Sequence, residues 1–149
     1  GPYRDGKGSL FEGVFRVAAF ANWPGRIKPR TVDGIIHAVD ILPTFAALAG
    51  ASTRKCKPLD GVNVWDAIAE GKPSPRNEVV YNIEPFRGAV RQGDWKLIWR
   101  SLIPTSVDLY NLAEDPYEKT NVAAGHADKV AAMQDRINAL GRNPPSRSR

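Results

Sequence analysis

Lys7 stands alone between two glycines in "DGKGSLFEG", residues 5–13, just before an apolar run. Glycine lets the backbone enter left-handed conformations and lets a bulky partner come close. An ammonium on such a backbone can neutralise an approaching anion, although an exposed lysine in a turn is also an ordinary occupant of a solvated loop. The surroundings are not those of a P-loop, because G-x-x-x-x-G-K-[ST] is absent. Cys56, in "RKCKP", has basic neighbours that favour a thiolate. No partner motif accompanies it, and it reads as incidental. His37 and His126 are the two histidines of the chain. Metal centres need several clustered ligands, and no HxxxH, CxxC or DxD pattern occurs. His37 therefore reads as a partly buried polar residue and His126 as a helix-start residue. A Ser-His-Asp arrangement lacks the support of a G-x-S-x-G elbow. "EDPYEKTN" carries Asp115, Glu118 and Asn121, with oxygens of the kind calcium uses. Asp-Pro in an acidic turn before a helix is explained more simply as turn chemistry.

The elements that must position these residues change in character along the chain. "VFRVAAFANW", residues 14–23, is apolar almost throughout and is bounded by Gly13 and Pro24. This pattern predicts a buried strand of an α/β sheet, which needs neighbouring strands that the rest of the sequence does not supply. In "DILPTFAALAG", Asp40 suits an N-cap and Gly50 the C′ position. Ile41, Leu42, Phe45, Leu48 and Ala49 would share one face, which predicts a short buried helix. Asn63 is placed to cap a second short helix, "VWDAIAE", stopped by Gly71. The runs "NEVVYNI", "RGAVRQ", "DWKLIWR" and "VDLYNL" are β-branched and aromatic, with turn signals between them, and "QGD" suits a hairpin connection. They predict a small antiparallel sheet. In "HADKVAAMQDRINALG", Val130, Met133, Ile137 and Leu140 recur at helical spacing and Gly141 ends the run, which predicts a helix covering one face of that sheet. The expected division is an α/β part at 1–72, an α+β part at 73–141 and a disordered tail at 142–149.

At 149 residues the chain is long enough for an ordinary core, and 42% of it is hydrophobic, which excludes a disordered class. The net charge of +5 arises from 21 basic and 16 acidic residues scattered along the sequence. Nucleic-acid binders concentrate basic residues on one face or helix, so no nucleic-acid partner is expected, while anionic substrates are compatible. No apolar run approaches the roughly 20 residues that span a bilayer, so no membrane partner is expected. A single cysteine excludes an intrachain disulfide. The opening Gly-Pro, in place of Met, reads as a processed product or a piece of something longer.

Taken in order, five segments resemble the C-terminal third of the sulfatase family, and most closely arylsulfatases of the arylsulfatase B type. "GKGSLFEG" followed by "FRV" is similar to the family's lysine loop and the strand after it. "HAVDILPTFAALAG" resembles its D-x-x-P-T helix, and "LDGVNVWDAIAEGKPSPRNEVVYNIEP" is especially similar to the arylsulfatase B pattern. "VRQGDWKLI" and "LYNLAEDPYEKTNVA" resemble the closing sheet and the turn into the last helix. The family usually reads E-G-G where this chain has Glu12-Gly13-Val14, and a proline where it has Ala18.

The resemblance implies the C-terminal part of an alkaline phosphatase-like fold and hydrolysis of sulfate esters by the complete protein. It implies that Lys7 is the substrate-binding and catalytic lysine that contacts the sulfate. It also implies calcium and a formylglycine made within a C-x-P-S-R-like motif, neither of which maps onto residues of this chain. An N-terminal catalytic region would be the main partner, and a sulfated small molecule or sulfated glycan the substrate. The isolated chain is then expected to be inactive, and the setting secreted, lysosomal or periplasmic. Two other readings stay open: a non-catalytic remnant that binds sulfated glycans, and a phosphoryl-transfer relative of the same superfamily.

Overall fold

The computed structural model describes residues 1–101 and 105–142, and the expected tail lies, apart from the backbone of Arg142, outside them. The chain divides into two compact units. One joins Gly1–Val17 to Glu78–Arg149, and the other is Ala18–Asn77.

The first unit is built on a four-stranded antiparallel sheet in the order β1 (Glu78–Glu84), β2 (Arg87–Gln92), β3 (Trp95–Arg100), β4 (Ser106–Asn111). All four strands fall on the segments expected from the sequence. The connection between β2 and β3 is a tight turn at Gly93-Asp94, where Gly93 takes a φ of 57°. Register sets two faces. Val80, Val90, Leu97 and Leu109 are cross-strand partners on one face, and Tyr81, Ala89, Ile98 and Asp108 are partners on the other, alongside Val79, Arg91, Lys96 and Tyr110.

The first face receives helix α4 (Ala127–Arg142). Met133 and Ile137 pack with Val90, Leu97 and Leu109 into the core, with Val130 partly buried beside them. Each such side chain taken out of water contributes about 2 kcal/mol. The helix continues through Gly141, where the sequence predicts its end. Gly141 keeps an ordinary helical φ there, so nothing forces a stop.

The opposite face is covered too, which sequence spacing did not announce. Leu10, Phe11 and Glu12 are buried, and the Phe11 ring meets Tyr110 edge-on at 6.3 Å. Phe15 meets Tyr81 in the same way at 5.0 Å. Residues Glu12–Phe15 form a single helical turn, α1, and not the start of a strand.

The strand expected over 14–23 is absent. Residues 16–23 are irregular, Val17 and Phe20 are 77% and 98% exposed, and among the described residues no strand pairs with this segment. An apolar run of this kind is stable as a strand only between neighbours that satisfy its backbone and cover its faces.

In the second unit, α2 (Ile41–Leu48) and α3 (Trp65–Glu70) form where expected. The α2 C-terminus is a Schellman motif: Gly50 N–H donates to Ala47 O, Ala51 N–H to Ala46 O, and Gly50 takes a φ of 66°. Asn63 Oδ1 accepts from Trp65 N–H at the start of α3, and Gly71, at a φ of 72°, closes it. The expected burial of α2 does not occur: Ile41, Leu42 and Phe45 are 44%, 62% and 63% exposed, and Thr44 is the buried residue of the helix. Asp40 stands at the N-cap position of α2, as expected, but its side chain makes no cap bond to the helix, because its carboxylate is engaged elsewhere.

Candidate functional site

Lys7 lies at the tip of a tight turn. Ser9 N–H donates to Gly6 O at 3.2 Å, which places Lys7 and Gly8 at the central positions. Gly8 has a φ of 98°, the value that makes glycine the natural third residue of a type II turn. The Lys7 side chain is exposed, and among the described residues no hydrogen bond or ion pair engages its ammonium. The turn itself is fastened. Arg87 Nη1 donates to Gly8 O at 2.7 Å, and Gly13 N–H donates to Arg4 O at 3.0 Å, closing the loop at its base. Gly13 has to be glycine, because a Cβ there would lie 2.2 Å from Asp5 O and 2.3 Å from Arg4 O. Val14, where the resembling family has a second glycine, sits within α1 and has no positive φ, so it introduces no strain.

Below the loop, on the sheet face that it covers, lies a buried ionic cluster. Lys96 Nζ is 2.8 Å from Glu12 Oε1 and 3.1 Å from Glu118 Oε1, and the Lys96 and Glu118 side chains are fully buried. Tyr81 Oη donates to Glu12 Oε1 at 3.1 Å, and the Lys96 ammonium sits 4.3 Å from the centre of the Tyr81 ring. Glu12 N–H donates to Glu118 Oε2 at 2.6 Å. One ammonium thus serves two carboxylates. Burial pushes the Glu118 carboxyl above the ordinary glutamate range and the Glu12 charge adds to this, while Lys96 and the Glu12 N–H oppose it. Burial, together with the Glu12 charge, pushes the Tyr81 phenol well above its ordinary value and keeps it a donor.

The "EDPYEKTN" segment supplies Glu118. Asp115 Oδ2 accepts from the N–H groups of Lys119 and Thr120, both at 2.8 Å, and so builds the turn. Asn121 Oδ1 accepts from Leu109 N–H and Ala123 N–H, and its amide donates to Val107 O and Asp108 Oδ1. Asp115 and Asn121 are therefore occupied by the turn and by its junction with β4. Glu118 turns inward to the cluster.

The other sequence candidates are local. His126 precedes α4 and packs its ring against Trp95 at 4.9 Å. In the second unit, His37 Nδ1 accepts from Val39 N–H in a capping box with Asp40, and Cys56 is an exposed thiol. The same unit holds a buried acid, Asp40, which the sequence predicts only as a cap. Asp40 receives Arg76 Nε at 2.7 Å on Oδ2 and Arg76 Nη2 at 2.5 Å on Oδ1, and also His37 N–H and Val62 N–H. Burial raises the Asp40 carboxyl, but the Arg76 guanidinium and the two N–H groups outweigh it and hold it below the usual aspartate range.

Glu12, Lys96 and Tyr81 did not emerge as candidates from the sequence. A usable signal was present: one acid in "LFEGVF" and one base in "WKLIW", each alone in an apolar run and opposite in sign.

Residues 5–143 match the family model described as N-sulphoglucosamine sulphohydrolase, C-terminal. Arylsulfatase A of Homo sapiens is 32% identical over 165 residues, covering 94% of this chain and 32% of that protein. Arylsulfatase J of Mus musculus is 32% identical over 110 residues, covering 71% of this chain and 18% of that protein. The crystal structure of Ps i-CgsB in complex with k-i-k-neocarrahexaose is 26% identical with a TM-score of 0.77, over 94% of this chain and 32% of that one. The chain thus spans 18% to 32% of the length of these relatives.

Proposed function

Because the chain belongs to the family of N-sulphoglucosamine sulphohydrolase C-terminal regions, we propose that it serves an arylsulfatase-like sulfuric ester hydrolase and that Lys7 holds the sulfate of the substrate. Its fold is that of the C-terminal part of sulfatases of the alkaline phosphatase-like superfamily. The reaction proposed for the complete protein is hydrolysis of an aryl or carbohydrate sulfate ester. The arylsulfatase relatives and the structural relative solved with k-i-k-neocarrahexaose support that substrate range. They favour it over phosphoryl transfer.

The observation that carries the reading is the state of Lys7. Its ammonium is exposed and unengaged among the described residues, while the backbone beneath it is fastened at Arg4, Gly8 and Gly13. A sulfate ester gathers negative charge on its oxygens as it is cleaved. A cation already in place stabilises that charge without reorganising during the reaction.

Calcium and formylglycine, which the resemblance implies, do not fit the residues of this chain. Among the described residues no three His, Cys, Asp or Glu side chains gather as a metal site. Cys56 lies in "RKCKP" and not in a C-x-P-S-R-like context. Both groups would be supplied by the remainder of the complete protein. The isolated 149-residue chain is accordingly proposed to be inactive.

The test is Lys7→Ala in the complete protein, assayed on an aryl sulfate. Loss of about a hundredfold or more in kcat/KM is expected, as for removal of one preorganised charge-stabilising donor. Activity within about threefold of wild type would overturn the assignment of Lys7 on the same scale.

A further inference from the structure

We infer that Glu118 is the positioning residue of the lysine loop: it fastens both roots of the loop at once and thereby fixes where the Lys7 ammonium stands. The inference rests on the reading of Lys7 as the sulfate-binding residue. The loop leaves its base at Arg4 and returns at Glu12-Gly13. At the outgoing root, Arg4 Nη1 donates to the Glu118 carbonyl oxygen at 2.7 Å and to Tyr110 Oη at 3.2 Å. At the returning root, Glu12 N–H donates to Glu118 Oε2 at 2.6 Å, and Gly13 N–H closes back on Arg4 O. The second carboxylate oxygen of Glu118 faces Lys96, which also holds Glu12. Backbone and side chain of one residue thus take the two strands of the loop base, and the Lys96 ammonium locks the junction to β3.

Two further features fit this role. Glu118 has a φ of 55°, in the left-handed region that residues other than glycine rarely enter. Such a conformation persists where surrounding contacts over-determine it, and the contacts here are those to the loop roots and to Lys96. Asp115 builds the turn that presents Glu118, so a rigid support stands behind it. The loop needs such support, because Gly6 and Gly8 flank Lys7 and would otherwise leave it free to wander.

The test has two arms. In the 149-residue chain, 15N relaxation at Gly6, Lys7 and Gly8 reads loop order, and the Met133 and Ile137 methyl signals report the core on the opposite sheet face. Wild type is expected to show order parameters near the rigid value of about 0.85, and Glu118→Gly to bring them below about 0.6 with the methyl signals unmoved. Glycine accepts the positive φ, so this variant removes the carboxylate without adding backbone strain. Should it nevertheless unfold, Arg4→Met cuts only the outgoing root from an exposed position and is read in the same way. An unchanged loop in a folded variant overturns the inference.

The second arm is a double-mutant cycle in the complete sulfatase. Glu118→Gly is expected to lower kcat by roughly ten- to a hundredfold, as misplacement of a reacting group does, and to have no further effect once Lys7 is alanine. Equal losses on both backgrounds would make Glu118 merely structural and overturn the inference. If Lys7→Ala itself leaves activity intact, the functional reading fails while the relaxation arm still decides the clamp.

Discussion

The Lys96 ammonium lies 2.8 Å from Oε1 of Glu12, with side-chain exposures of 0% and 4%, although the two residues are 84 positions apart in sequence. Lys96 belongs to the start of β3 and Glu12 to the helical turn after the lysine loop. Their pairing is what lets an irregular N-terminal segment serve as the second cover of the sheet. Two carboxylates and one ammonium leave the cluster short of positive charge, and its stability depends on the Tyr81 hydroxyl and the Glu12 N–H as well as on the ion pairs.

Lys96→Met should therefore be far more damaging than its shape suggests. Methionine fills the space but leaves Glu12 and Glu118 facing each other without a cation. Removing one partner of a buried ion group costs about 3–5 kcal/mol. Urea unfolding followed by tryptophan fluorescence would measure it. A loss below about 1 kcal/mol, the range of exposed pairs, would show that the cluster is hydrated and not buried as described. Adding Glu118→Gln to Lys96→Met should recover part of the loss by removing one of the stranded charges.

Gly13→Ala should disturb the loop base specifically. The new Cβ would lie within 2.3 Å of two backbone oxygens, those of Asp5 and Arg4, and neither is the end of a flexible side chain. Overpacking of this kind costs about 1–3 kcal/mol. Amide exchange at Gly13, which donates to Arg4 O, should accelerate with it. Protection equal to wild type would mean that the loop does not close on Arg4.

The sheet and its helix were legible because their signals are local. Alternation, the Gly93-Asp94 turn, and the spacing of Val130, Met133 and Ile137 all lie within a few residues of the elements they define. The helical ends at Gly50 and Gly71 were legible for the same reason. Lys96 was not. Beside Leu97 and Ile98 a lysine reads as the outward residue of a half-buried strand, and only the cover supplied by Leu10, Phe11 and Glu12 turns that face inward. The segment at 14–23 failed in the opposite sense. Its composition carries a burial requirement that no strand among the described residues meets, so beyond the end of α1 at Phe15 it stays irregular. Lys7 was singled out by its glycines and by resemblance, but Glu118, from a segment read as turn chemistry, was not connected to it by any spacing.

Asp40 should make the second unit sensitive to acid. Its carboxyl is held below the ordinary value in the folded state, so the stability it contributes is complete above the unfolded pKa of about 3.9 and is lost as pH falls below that value through the folded pKa. Unfolding free energy measured between about pH 6 and pH 3 should show this decline. Asp40→Asn should flatten it, while costing about 3 kcal/mol near neutral pH because Arg76 loses its bidentate charged partner in a buried setting. An unchanged acid slope in Asp40→Asn would assign the sensitivity to other carboxylates.

Exposed apolar side chains in the second unit predict association of the isolated chain. Phe20 at 98%, Phe45 at 63% and Leu42 at 62% exposure are large apolar groups in a unit of modest size. Monomers seldom leave extended apolar surface bare, because each square ångström returned to a partner is worth about 25 cal/mol. Two of these residues lie on α2 three positions apart and share one flank of that helix, so they act together. Analytical ultracentrifugation of the 149-residue chain should show concentration-dependent assembly that weakens in Leu42→Ser with Phe45→Ser. Thr44, the buried residue of the same helix, donates its hydroxyl to Asp40 O and accepts from Val64 N–H, and so holds α2 in place when its neighbours are changed. A wild-type chain that sediments as a monomer at every concentration would sink the prediction. Assembly that is indifferent to both serines would move the sticky surface to Phe20 and the extended segment around it.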